Sequence, residues 1–268
     1  MKKATALLIS LLLVSLSLFA GGAKEADSSI LKVGATPDPH AAILEVVKDD
    51  LEKEGIKLEI VEFTDYVTPN EALSSGEIDA NYFQHLPYLE SANSEHGFDL
   101  VSAAGIHIEP LAVYSDKYTD LADLPEGATI AIPNDPTNEG RALLLLESAG
   151  LITLKENAGL EAVPSDIESN PKNLEFVEIE APSIPRVLVD VDAAVINGNY
   201  AILAGLIATR DGLFVEGADS PYVNVIAVRS GFENDSRITA LVEALKSDEV
   251  KAFIQERYPN GEVILVNE

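Results

Sequence analysis

The chain has 268 residues, with no cysteine, no tryptophan, eight phenylalanines and eight tyrosines, and its formal net charge at pH 7 is −27. An acidic balance of this size repels phosphate backbones and anionic lipids, which sets nucleic-acid binding aside; spread along the chain, the charge describes a solvated, highly soluble surface. With no disulfide available, the fold must be held by a hydrophobic core, which a chain of this length can supply.

Lys2 and Lys3 precede a mostly apolar run from Ala4 to Ala20, followed by the small residues Gly21, Gly22 and Ala23. A positive start, a short apolar segment and a small-residue cleavage zone predict a secretory leader over residues 1–22 and export to the periplasm or cell envelope. At about 17 residues the run sits at the lower limit for spanning a bilayer, and no second run of that kind follows. A polar linker covers residues 23–29.

Ile30 to Ala35 reads as a strand ending at Thr36-Pro37-Asp38-Pro39. A helix from His40 to about Glu54 follows, with Ala41, Leu44, Val47 and Leu51 at helical spacing, and then a strand from Lys57 to Phe63. Strand, helix, strand predicts a parallel sheet with right-handed crossovers. The pattern continues with a short helix at Pro69–Ser75, a strand end at Ala80–Phe83, a helix at Leu86–His96 entered through Pro87, and a strand at Leu100–Ile106. A fresh unit then opens: Ala112 to Ser115, a turn near Leu121–Leu124, a strand at Thr129–Ile132, a helix from Asn138 to Ala149, and strands at Leu174–Ile179 and Ala193–Ile196. Tyr222–Arg229 reads as a strand returning to the first unit, closed by helices at Ser236–Lys246 and Glu249–Tyr258.

The predicted fold is therefore α/β: a two-lobed, periplasmic binding protein-like fold of type II with a ligand cleft between the lobes. Residues 30–111 plus 226–268 form lobe I and residues 112–225 form lobe II. Ligands of such folds sit at the crossover.

Three features suit that cleft. Tyr82, Phe83, His85 and Tyr88 crowd into one short stretch of an aromatic-poor chain, as the lining of a pocket or as an anchor of a loop to the core. Pro133 to Arg141 reads as a strand-to-helix turn, with Thr137 as a candidate N-cap. Free amides at residues 138–140, the helix dipole and the Arg141 guanidinium would together receive a carboxylate; the alternative is an arginine paired with a surface acid. Asn197, Asn199 and Tyr200 close an apolar strand, and Asn224 lies in the returning strand. Amide side chains both donate and accept, as an amino-acid backbone requires, although turn and strand-edge bonding is their commoner use.

These residues carry a resemblance to the NlpA/MetQ family of methionine-binding proteins of ABC importers. The matching strings are Phe63-Thr64-Asp65-Tyr66-Val67-Thr68-Pro69-Asn70-Glu71-Ala72-Leu73, Gly76 to His85, Pro133 to Arg141 with Leu143 to Leu146, Asn170 to Leu174, Glu180-Ala181-Pro182, Ala194 to Asn197, and Glu216 with Ser220 to Asn224. They keep their order over nearly the whole chain after the leader. The resemblance implies that Tyr66, Phe83, His85 and Tyr88 form the pocket for a methionine side chain. It implies that Arg141 is the carboxylate clamp and that Asn197 and Asn224 hold the amino-acid backbone, with Asn199, Tyr200 and Tyr82 secondary and Tyr82 assigned to packing.

The implied partners are L-methionine and an ABC permease with its ATPase, with no cofactor and no metal. The implied contact with the membrane is through the permease, or through a lipid anchor if one exists. Family members carry a cysteine for acylation after a Leu-x-x motif; here Leu18-Phe19-Ala20 is followed by Gly21 and Gly22, which leaves lipid anchoring open. The competing ligands are D-methionine, a methionine-containing dipeptide and, behind these, a metal ion held partly by His107 and Glu109. No Gly-x-Ser-x-Gly occurs and the four histidines are scattered, so nothing in the pattern argues for an enzyme.

Overall fold

The computed structural model describes residues 29–217 and 220–266, so the expected leader at 1–22 lies outside the described residues. The strands are β1 (Ile30–Ala35), β2 (Lys57–Glu62), β3 (Ala80–His85), β4 (Leu100–Ile108), β5 (Ala112–Tyr114), β6 (Thr129–Pro133), β7 (Thr153–Leu154), β8 (Ile167–Ser169), β9 (Glu175–Ile179), β10 (Ala193–Ile196), β11 (Gly212–Val215), β12 (Val223–Arg229) and β13 (Ile264–Leu265). They form a six-stranded sheet in the order β13-β4-β12-β3-β1-β2, a five-stranded sheet in the order β11-β5-β10-β6-β9, and the small pair β7-β8.

Both large sheets are mixed, where the sequence predicts a parallel arrangement. Helical crossovers do produce parallel pairs, β1 with β3 and β6 with both β9 and β10. The antiparallel pairs have a topological cause. The chain leaves the six-stranded sheet through β4 and returns through β12, and it enters the five-stranded sheet through β5 and leaves through β11. A departing and an arriving strand lying side by side must run in opposite directions, as β4 and β12 do, and β5 and β11 also do. Two segments consequently join the sheets: 109–111, and the stretch from Glu216 to Tyr222.

Each sheet has its own core. Leu31, Val33, Ile43, Leu44, Leu51, Ile226, Leu241 and Leu245 pack the helices flanking the six-stranded sheet onto it. Ile130, Ile132, Leu143, Leu146 and Val195 do the same for the five-stranded sheet and the helix Pro136–Ser148. Strands β3 and β10 are buried along their whole length, as fits central strands covered on both faces.

The single helix expected from His40 to Glu54 is divided. A wide turn at Pro37–Ala41 precedes helices Ala42–Val46 and Lys48–Lys53. At the break, Val47 N–H bonds to the carbonyl of Leu44 at 3.3 Å, a tightened step that keeps Leu44, Val47 and Leu51 all facing the core. Helix Leu86–His96 starts and ends as predicted, opened by Pro87 and closed by Gly97 in the left-handed region at φ 69°. Among the described residues no helix is long and apolar enough to cross a membrane.

Candidate functional site

Strand β3 carries one wall of the cleft and is anchored from behind by amides. Asn70, on helix Thr68–Ser75, exchanges bonds with Gln84, Nδ2 to Oε1 at 2.8 Å and Nε2 to Oδ1 at 2.7 Å. Asn81 Nδ2 donates to Asn70 Oδ1 at 2.8 Å, and Asn81 Oδ1 accepts from Gln84 Nε2 at 2.9 Å. Three buried amides that satisfy one another fix the strand in register and aim Phe83 and His85 at the cleft.

The aromatic wall closes on that strand. Tyr66, Phe83 and Tyr88 form a triangle with ring centroids 5.9 to 6.0 Å apart, in the tilted and edge-on geometries that ring quadrupoles favour. Tyr66 is set by a turn in which Asp65 Oδ1 accepts from the amides of Val67 and Thr68, both at 2.8 Å. Tyr88 O–H donates to the Tyr66 carbonyl at 2.8 Å, and Tyr66 O–H donates to Asn199 Oδ1 at 2.6 Å, joining this wall to the other side of the cleft. The Tyr200 ring lies tilted against Tyr66, with centroids 5.1 Å apart. Tyr82 points away, fully buried in the first core, where its hydroxyl donates to His107 Nδ1.

The opposite wall is polar. Arg141 is 4% exposed and lies over the Tyr222 ring at 4.3 Å. Its Nε donates to Glu216 Oε1 at 3.0 Å, and Nη2 donates to Glu216 Oε2 and to the Glu109 carbonyl, the latter at 2.9 Å. Among the described residues Nη1 has no hydrogen-bond partner, and the guanidinium is paired with the acid Glu216, the alternative that the sequence left open. The predicted N-cap is corrected here. Asp135, not Thr137, caps the helix, because Pro136 occupies its first position and Asp135 Oδ1 accepts the Asn138 amide at 3.0 Å. The helix N-terminus therefore already holds a carboxylate, and the amide nest predicted at residues 138–140 is not open.

Asn224 pairs with His85 across β12 and β3, and its Oδ1 accepts from His40 Nε2 at 3.1 Å. Beneath it lies a cluster absent from the predicted site: His40, His107 and Glu109 place ligand-type atoms within 4.8 Å of one another. Glu109 Oε1 accepts from His107 Nε2 at 2.8 Å, with His40 Nε2 3.1 Å from the same oxygen, while Thr36 Oγ1 lies 2.7 Å from His40 Nδ1. Hydrogen bonds from His107 Nε2 to Glu109 and from His40 Nε2 to Asn224 tie the cluster into a network. Burial lowers His40 to about 4, against the pull of Glu109, and His107 to about 3, so both rings are neutral. Burial also raises Glu109, with His40 and Arg141 acting in the opposite sense.

All seven residues singled out from the sequence, Tyr66, Phe83, His85, Tyr88, Arg141, Asn197 and Asn224, line one cavity. Gln84, Glu109, Asn138, Gly198 and Asn199 line it too. Burial, and then the neighbouring Arg141 charge, lower His85 to about 3, so the cavity presents a neutral imidazole. The arrangement offers an aromatic end for an apolar chain and a polar end with a cation and uncharged acceptors. Aromatic rings on one side and a guanidinium with amides on the other are complementary in chemistry to a small zwitterion with an apolar side chain.

A two-sheet α/β molecule with such a cavity at the crossover is a two-lobed solute-binding protein by fold and site. The family model of NlpA lipoprotein matches residues 31–266, and the chain belongs to that family. It is 45% identical over 258 residues, 95% of each chain, to the D-methionine-binding lipoprotein MetQ of Salmonella typhimurium. It is 47% identical over 251 residues, 94% of each, to the membrane lipoprotein TpN32 of Treponema pallidum. Among solved structures, a nutrient-binding protein from Burkholderia cenocepacia bound to methionine superposes with a TM-score of 0.86 at 47% identity, covering 88% of this chain and all of that one.

Proposed function

We propose that this protein is the exported substrate-binding component of an ABC importer and that it binds L-methionine in the cavity between its sheets. The observation that carries the reading is the joint lining of one cavity by the aromatic triangle and the Arg141 fork, a shape matched to a thioether at one end and a carboxylate at the other. The methionine-bound Burkholderia structure and the MetQ relatives support the choice of amino acid.

In this reading the thioether packs on Tyr66, Phe83 and Tyr88, with sulfur–ring contacts of roughly 0.3 to 1.5 kcal/mol each. Arg141 Nη1 receives the carboxylate, and Asn197 and Asn224 hold the α-carbon substituents. Lobe I, residues 30–111 plus 226–268, and lobe II, residues 112–225, close on the ligand, which favours the closed form because it touches both. The loaded protein then delivers methionine to a permease driven by its ATPase. Placement in the cell envelope follows from the lipoprotein relatives and the leader-like residues 1–22.

D-Methionine is the second reading, favoured by the name of the Salmonella relative. Mass spectrometry of small molecules released on denaturing the native protein, followed by calorimetry with each enantiomer, tests both. Recovery of a ligand without a thioether, together with no heat from either enantiomer, would overturn the assignment.

A further inference from the structure

Asp135 has no place in the cavity lining, yet it begins a chain of bonds that ends there. Both its carboxylate oxygens accept from Asn138 Nδ2, at 2.8 and 3.0 Å, and Oδ1 also accepts the Asn138 amide. A carboxylate in this position only accepts, so the amide nitrogen of Asn138 must face it and Asn138 Oδ1 must face the other way. That oxygen accepts from Asn197 Nδ2 at 2.7 Å.

The same orientation is required from the opposite wall by an independent bond. The Tyr88 amide donates to His85 Nδ1 at 3.1 Å, which places the ring proton of the neutral imidazole on Nε2. His85 Nε2 lies 3.3 Å from the side-chain oxygen of Asn138, so the atom facing it must be an acceptor. Asn138 is thus oriented from both ends, and the side-chain amide of Asn197 inherits one direction only. Its Oδ1 is left buried, with no partner among the described residues, in a residue 6% exposed that lines the cavity. An unpaired buried carbonyl oxygen is costly, and a cationic donor supplied by a ligand removes that cost.

We propose that Asp135 is a positioning residue for ligand selection: through Asn138 it fixes Asn197 with its carbonyl oxygen toward the cavity, where it receives the α-ammonium group of the bound amino acid. The inference rests on the amino-acid reading above and adds to it a requirement for a free ammonium group. Without the fixed direction, Asn197 can turn its NH₂ toward the cavity, and a site that selects a cation becomes one that tolerates its absence.

Asp135→Asn separates this role from helix capping, because asparagine caps a helix about as well as aspartate but offers both a donor and an acceptor to Asn138. Calorimetry, with displacement titrations up to millimolar ligand, compares L-methionine with 4-(methylthio)butanoate, which keeps the thioether and carboxylate and lacks the ammonium. The wild type is expected to prefer methionine by about 100-fold or more, in line with the cost of an unpaired buried polar group. Asp135→Asn is expected to lose about 10-fold or more in methionine affinity while its affinity for the des-amino acid stays within about twofold. Equal losses for both ligands, or no loss for either, would overturn the positioning role. Wild-type protein that binds neither compound would overturn the amino-acid reading itself, and the inference with it.

Discussion

Gly198 rests directly on Glu109: a methyl group built on its α-carbon would lie 2.7 Å from Glu109 Cβ and 3.0 Å from Oε2. The start of helix Gly198–Leu203, which follows β10 of the five-stranded sheet, is in this way seated against the segment leading out of the six-stranded sheet. No side chain larger than hydrogen fits without parting the two. Gly198→Ala is expected to destabilise the protein by about 1 to 3 kcal/mol and, because Gly198 also lines the cavity, to weaken methionine binding. Thermal melts and calorimetry measure the two effects, and an unchanged affinity would argue against this contact as part of the closed form.

Arg141→Ala is expected to abolish methionine binding in calorimetry while the far-ultraviolet circular dichroism spectrum is retained. The variant also leaves Glu216, whose side chain is 15% exposed, without its partner, and a loss of stability of about 3 kcal/mol should accompany the loss of binding. Arg141→Lys should rescue neither fully, because one ammonium cannot serve Glu216, the Glu109 carbonyl and a ligand carboxylate together. Micromolar affinity in the alanine variant would remove Arg141 from the carboxylate contact.

Phe83→Leu trims the aromatic triangle while keeping the position apolar. Methionine affinity should fall by roughly 0.3 to 1.5 kcal/mol, the range of a sulfur–ring contact, and norleucine affinity should fall by less. Competition between the two ligands in wild type and variant reads the difference directly; equal losses would show that the wall selects by shape alone.

Stability should fall on acidification. The folded values of His40, His85 and His107, about 4, 3 and 3, lie below the ordinary value of 6.5 because burial opposes the charged ring. Between about pH 6.5 and pH 4 the unfolded chain therefore binds protons that the folded chain refuses, so unfolding becomes easier as pH drops, by up to about 1.4 kcal/mol per unit for each ring. Glu109 and Asp135, both raised mainly by burial, work in the opposite sense and soften the slope. Urea unfolding from pH 7 to pH 5 measures it, and His107→Gln should remove close to one proton from the dependence. A slope unchanged in that variant would mean that His107 titrates alike in the folded and the unfolded chain.

Glu109→Gln keeps the shape of the network and breaks its logic. The carboxylate accepts from His107 Nε2 and lies beside His40 Nε2, and an amide offers either a donor where His107 needs an acceptor or a weaker, uncharged oxygen. The loss should be about 1 to 3 kcal/mol, seen as a lowered melting temperature; a neutral outcome would indicate that the rings have changed tautomer to suit.

Much of this was legible from local pattern. Helix Leu86–His96 declared itself through Pro87, and β10 through an unbroken apolar run bounded by Asn197. The seven residues read as a site do share one cavity. What stayed hidden depends on separation along the chain. Helix Gly198–Leu203 and strand Gly212–Val215 are too short to show a period, and the partnership of His40, Tyr82, His107 and Glu109 exists only once three distant segments meet. Asn138 stood inside a string already singled out, but its backbone amide drew attention and its side chain did not. Thr137 lost the cap to Asp135 because Pro136 marks the first turn, a signal that was present in the sequence and outweighed by the capping reputation of threonine.

Arg141 touches both connections between the sheets, the carbonyl of Glu109 on the outgoing one and the carboxylate of Glu216 on the returning one. If Arg141 receives the ligand as proposed, the same side chain also ties the two connections together, so binding and stiffening of the joint become one event with no relay between them. Slowed amide hydrogen exchange at Glu109, Leu111 and residues 215–217 on adding methionine would show it.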